Sequence, residues 1–169
     1  MRTNLTVHVG RRQTVEVQAD DNLIELVATE VESSTLVITT RGSFTAETPM
    51  KVDVTVPELE AATLTGTGVI TVDGVQAPRF HARLLGTGLV TVRGAVDRLS
   101  ATVAGDGDAQ LQDLVARDVV GAVSGTGRLQ VHATHSLDAS VPGTGAIFYT
   151  GNPSDVKQNV TGTGAIVGQ

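Results

Sequence analysis

Along most of this chain apolar residues alternate with polar ones, and the alternation is interrupted at regular intervals by a Gly-x-Gly triplet. The triplets are Gly66-Thr67-Gly68, Gly86-Thr87-Gly88, Gly105-Asp106-Gly107, Gly125-Thr126-Gly127, Gly143-Thr144-Gly145 and Gly162-Thr163-Gly164. Their first glycines are 20, 19, 20, 18 and 19 residues apart, and each follows an aliphatic residue by two positions (Leu64, Leu84, Val103, Val123, Val141, Val160). Four residues after the first glycine come Ile70, Val90, Ala109, Leu129, Ile147 and Ile166, and six after it come Val72, Val92, Leu111, Val131, Tyr149 and Gly168. The flanking positions are mainly polar: Thr71, Thr91, Gln110, Gln130, then Asp73, Arg93, Gln112, His132. Period-two alternation in constant phase predicts a strand with one face in a core and the other in solvent. A second strand precedes each triplet. Its inward columns are Phe80, Leu99, Val119, Leu137, Val156 and Ala62, Ala82, Ala101, Gly121, Ala139, Gln158. The column of small residues marks where opposing walls come closest.

Two strands in a turn of about 19 residues leave no room for a crossover helix, so equivalent strands must stack as parallel neighbours. The expected fold is all-β: a parallel β-helix, or β-solenoid, rising about 4.8 Å per coil, and right-handed by the rule for parallel crossovers. The triplets form one corner, where a positive φ would favour glycine. The other corner is turn-rich and variable in length, from Gly74-Val75-Gln76-Ala77-Pro78 to Gly151-Asn152-Pro153-Ser154. Residues 1–57 lack the triplet but keep alternating, at Val7-His8-Val9, Val15-Glu16-Val17, Leu36-Val37-Ile38 and Val52-Asp53-Val54. Turns are offered at Gly10, Asp20-Asp21-Asn22 and Ser33-Ser34, and Leu23-Ile24-Glu25-Leu26-Val27 suits a helical turn. This segment reads as an irregular N-terminal β cap, with regular coils over 58–169, in one domain. The last coil, Gly164 to Gln169, shows no cap of its own, and an uncovered edge invites homo-oligomerisation.

Composition narrows the function. Aromatic residues are 2% of 169 with no Trp, which argues against stacking platforms for sugars or single-stranded nucleic acid. The formal net charge is −6, so there is no basic field for nucleic acid. The absence of cysteine removes thiol chemistry and disulfides. No apolar run is long enough for a membrane-spanning helix, and MRTNLTVHVG lacks the apolar core of a secretory signal.

The run Ala19-Asp20-Asp21-Asn22-Leu23-Ile24, the segment Leu36-Val37-Ile38-Thr39-Thr40, the stretch Val56-Pro57-Glu58-Leu59-Glu60-Ala61 and the serial Gly-Thr-Gly corners resemble the GIN-domain family of autotransporter-adhesin head domains. The similarity covers nearly the whole chain. The family repeat is usually Gly-Ser-Gly followed by Asp; here Thr replaces Ser, and Asp follows only at Asp108. The resemblance implies a right-handed β-helix shaped like pectin lyases without their catalytic set. It also implies an exported, cell-surface or extracellular protein that adheres to a glycan or a surface protein.

Candidate chemistry is sparse. Solenoid polysaccharide enzymes set carboxylates beside a cation on adjacent coils. The nearest counterpart is Asp73, Arg93, Gln112 and His132, with Asp108 and Arg128 two columns away. Asp73 over Arg93 reads more simply as a cross-strand ion pair on a solvated face. Asp106 and Asp108 offer oxygen ligands loosely like calcium repeats, but once rather than in series, and read as a solvated acidic corner. His132 and His135 would diverge on a strand. The corner threonines (Thr67, Thr87, Thr126, Thr144, Thr163) suggest an ice-binding array, but hydroxyl-to-backbone bonding at a turn explains them better. No cofactor or metal is expected. The sequence thus describes a non-enzymatic, surface-displayed binding module whose face carries Asp73, Arg93, Arg128 and His132. The alternatives are a self-assembling scaffold and, below it, a polysaccharide-acting enzyme.

Overall fold

The computed structural model of the chain describes residues 3–18, 27–32, 35–40 and 50–169. Every element in these residues is a strand. In chain order they are β1 (Thr3–Val9), β2 (Thr14–Gln18), β3 (Val27–Glu32), β4 (Thr35–Thr40), β5 (Met50–Val56), β6 (Ala61–Leu64) and β7 (Gly68–Leu84). There follow β8 (Leu89–Val103), β9 (Asp108–Val123), β10 (Arg128–Val141), β11 (Ala146–Thr150), β12 (Asp155–Val160) and β13 (Ala165–Gly168). They build a β-solenoid of about six turns with roughly 19 residues per coil.

Strands β7, β8, β9 and β10 stack in parallel, each running almost a full coil from one triplet to the next. Within β7 the inward residues are Ile70 and Val72, then Val75 and Ala77, then Phe80, Ala82 and Leu84. The period of two slips by one residue after Val72 and again after Ala77. A slip turns the same chain onto a new inward direction, so the coil bends twice between triplets. Gly74, with φ 83°, sits at the first bend. The second corner expected from the sequence is therefore a short third wall, with Val75, Gln76 and Ala77 paired to Gly94, Ala95 and Val96. We call the walls side one (68–73 in β7), side two (75–77) and side three (79–84).

The triplet corner is also built differently from expectation. Of the twelve triplet glycines only Gly66, at φ 88°, has a positive φ. The ten from Gly86 to Gly164 are required by closeness. A Cβ on Gly86 would overlap the carbonyl oxygen of Gly66, and one on Gly105 or Gly125 would overlap the corresponding glycine one coil below. These backbones touch because they bond: Thr87 N donates to Gly66 O at 3.0 Å, and Gly127 N donates to Gly105 O at 3.0 Å. The small column behaves as its pattern predicts. A Cβ on Gly121 of side three would lie 3.1 Å from Leu129 Cδ2 of side one, so the two walls meet there.

Side one extends past β7 in an order that the sequence does not follow. Strand β1 pairs in parallel with β7 (Leu5 with Ile70, Val7 with Val72) and, on its other edge, with β5 (Leu5 with Val52, Val7 with Val54). The N-terminal strand is thus wedged between two strands that follow it in the chain, and β2 lies antiparallel on the outer edge of β5. Strands β3 and β4 form a separate antiparallel pair. Of the N-terminal expectations, the Asp20–Asn22 and Ser33–Ser34 turns, the helical turn up to Leu26 and the Ala19–Ile24 run lie outside the described residues; Val27 begins β3.

At the other end the coil breaks between β11 and β12 at Gly151-Asn152, both with left-handed φ (98° and 52°). All six residues of β12 are exposed, and Val156, Val160 and Val167 leave apolar surface uncovered. The small column ends here in Gln158, whose Nε2 reaches Tyr149 Oη at 3.5 Å. No helix in the described residues is long and apolar enough to cross a membrane.

Candidate functional site

Alternation on side one turns Thr71, Thr91, Gln110 and Gln130 away from the core and places Asp73 and Arg93 at the end of that side, one coil apart. Arg93 Nη1 donates to Asp73 Oδ1 at 3.1 Å, and its Nε lies 3.5 Å from Asp113 Oδ2. One guanidinium therefore bridges carboxylates from two neighbouring coils. The hydrogen bond to Asp73, helped by the charges of Asp73 and Asp113, holds Arg93 still more firmly protonated than usual.

The remaining members of the sequence column separate. Between β8 and β9 the register shifts after Thr91, so Asp113 rather than Gln112 reaches Arg93, while Gln112 Oε1 is buried without a hydrogen-bond partner. Between β9 and β10 it shifts again after Val131, and His132 falls opposite Val115 at the start of side two. His132 Nδ1 there shares a 3.2 Å hydrogen bond with Thr150 Oγ1. His135 lies 3.4 Å from Ser154 Oγ through its Nδ1. Arg128 begins β10, opposite Asp108 and Ala146 in the ladder.

The acidic corner is occupied by its own neighbours. Thr126 Oγ1 donates to Asp106 Oδ1 at 2.6 Å, and Thr67 and Thr87 share a 3.2 Å hydroxyl contact. These bonds run from side chain to side chain between coils, which corrects the expectation of hydroxyl-to-backbone bonding: the column spacing sets each hydroxyl beside its equivalent one coil away. Among the described residues no three His, Cys, Asp or Glu side chains come together as a metal cluster.

A second charged cluster lies on side three, outside the columns read from the sequence. The run Arg79-Phe80-His81-Ala82-Arg83 buries Phe80 and Ala82 and so turns two arginines and a histidine outward. Parallel register sets Arg79 beside Arg98, His81 beside Ser100 and Arg83 beside Thr102. Arg98 continues onto Asp118, and Ser100 onto Val120. Ser136 Oγ donates to Asp118 Oδ1 at 2.7 Å; this bond, with the positive charges of Arg117, His135 and Arg98, holds the Asp118 carboxyl below the usual range. Arg79, His81, Arg98, Ser100, Asp118 and Val120 line an open groove of about 530 Å³. The signal was present in the sequence as an R-x-H-x-R alternation 19 residues ahead of Arg98.

A repeat whose corner glycines, wall columns and coil length all agree can be compared with known families. Residues 1–153 match the family model described as "Putative auto-transporter adhesin, head GIN domain". The chain belongs to this family. The crystal structure of a putative adhesin from Bacteroides fragilis shares the fold, with a TM-score of 0.81 at 21% identity, covering 100% of this chain and 89% of that one. A putative lipid binding protein from Parabacteroides distasonis gives a TM-score of 0.59 at 22% identity over 100% of this chain and 89% of its own. A putative adhesin from Parabacteroides merdae gives 0.52 at 17% identity, covering 99% and 89%. The sequence matches no curated protein. As a GIN domain, the chain combines a rigid ladder with sides that carry charge in two discrete places, the Arg93 bridge and the side-three groove.

Proposed function

We propose that this GIN domain is a surface-displayed, non-enzymatic binding module that engages a glycan or a surface protein through one of its sheet sides. Membership of an adhesin head family over residues 1–153 carries the reading. The side-one geometry supports it. Asp73 and Asp113 are both engaged by one arginine, so this cluster reads as an ion-paired surface feature rather than as a free acid and base set on either side of a sugar. The flat, hydrogen-bonded sides suit recognition of an extended partner. The test is binding of the labelled chain to an array of glycans and extracellular-matrix proteins. Saturable binding to at least one class is expected, and binding to none overturns the reading.

A second reading has its own observation. The uncovered apolar residues Val156, Val160 and Val167 on the terminal strands favour end-to-end assembly of the solenoid into a scaffold.

A further inference from the structure

We infer that the side-three groove is the ligand site of this module and that it takes an acidic saccharide, a sugar chain bearing carboxylate or sulfate groups. The inference rests on the binding-module reading above. Arg79 and Arg98 stand side by side in adjacent parallel strands, about 4.8 Å apart at the backbone. Like charges in that position repel. Among the described residues neither has a carboxylate within ion-pair distance, in contrast to Arg93. An anionic group seated between the two guanidinium planes removes the repulsion and accepts forked, charge-assisted hydrogen bonds. Arg83, four residues along the same strand and on the order of 13 Å away, offers a second cation to a ligand whose charges repeat along its length.

The rest of the groove selects among anions. Asp118, next to Arg98 in the column, is an ionised acceptor: it repels a second phosphate or sulfate placed there but accepts hydrogen bonds from hydroxyls. Ser100, two residues past Arg98 on the same strand, adds a hydroxyl to the groove. Val120, 56% exposed, presents an apolar patch to the C–H face of a ring, and the one aromatic residue of the groove lining, Phe80, is fully buried. Farther along the same side Asp138 and Asp155 follow, with Lys157 beside Asp138, so the charge there is mixed and a continuous polyanion such as duplex nucleic acid would meet acid beyond the first two coils. A ligand that carries both isolated anionic groups and hydroxyls matches this sequence of partners.

The experiment titrates the full chain with oligogalacturonate, a sulfated oligosaccharide, a neutral oligosaccharide of equal length, inorganic phosphate and phosphatidylglycerol vesicles. Binding of an acidic oligosaccharide, weakened by salt, is expected, with the neutral one, phosphate and vesicles at least about tenfold weaker. Arg79→Glu/Arg98→Glu should lower acidic-sugar affinity more than about tenfold, and the uncharged Arg79→Gln/Arg98→Gln should also weaken it; the charge-matched Arg11→Glu/Arg12→Glu, at exposed positions between β1 and β2, should leave it unchanged. A cooperative thermal melt for each variant separates lost binding from lost fold. Equal binding of the neutral sugar, phosphate or vesicles overturns the inference, as does full affinity in the Arg79/Arg98 variants or an equal loss in Arg11→Glu/Arg12→Glu. If the chain binds other classes on the array but no acidic saccharide, this inference fails while the module reading stands; binding to nothing at all defeats both.

Discussion

At Gly105 the missing side chain does the structural work, because the carbonyl of Gly86 one coil below occupies the space a Cβ would need. At Gly66 the same residue type answers a different demand: nothing lies within 4 Å of where a methyl group would stand, but φ is 88°. The two positions therefore respond differently to one substitution. Gly105→Ala should cost about 3 kcal/mol, since backbone on both sides must move, whereas Gly66→Ala should cost about 1 kcal/mol of left-handed strain. Urea midpoints at constant slope measure the difference, and equal losses would contradict the stacking explanation. The need for glycine was legible in the serial triplets; which of the two needs each glycine meets was not, because φ and interstrand approach both depend on the neighbouring coil.

At the scale of elements, β1 holds the N-terminal coils together. It fills side one between β7 and β5, and its Val7, 7% exposed, sits in the column of Val72 and Val54. Placing a carboxylate there buries a charge with no cation built to meet it. Val7→Asp should detach β1 and strip hydrogen-exchange protection from the amides of Ile70 and Val72, while β10, three coils along, keeps its protection. Uniform loss across the solenoid would show instead that the coils unfold as one unit. Alternation in Leu5-Thr6-Val7-His8-Val9 announced this strand. Its insertion ahead of β7 was not legible, because a period of two says which face is apolar and nothing about which edge accepts the strand.

At the scale of the whole molecule each coil touches chiefly the coils beside it, and among the described residues β12 pairs only with β10 and β13 only with β11. That leaves β12 and β13 with apolar side chains and unpaired backbone edges among the described residues. If these edges assemble, sedimentation of the chain should show concentration-dependent association, and Val167→Lys should abolish it by placing a charge on the joining edge. Monomer at all concentrations in the parent chain would remove the scaffold reading.

The amino-acid sequence determined the solenoid itself: coil length, the inward columns of sides one and three, the close approach along the Ala82 to Ala139 column, and the glycine corner. Each is a repeated local pattern, and repetition in a chain with parallel stacking forces the same pattern into space. Only the tertiary structure decided what depends on register between coils. The bulges after Thr91 and Val131 sent Asp113 rather than Gln112 to Arg93 and carried His132 away to side two. The second slip in alternation made a third wall from what reads as a loop, and the pairing of β7 with β8 brought Arg79 against Arg98. Such contacts join residues 17 to 20 apart, and a single inserted residue moves them onto a different neighbour while leaving the hydrophobic pattern intact.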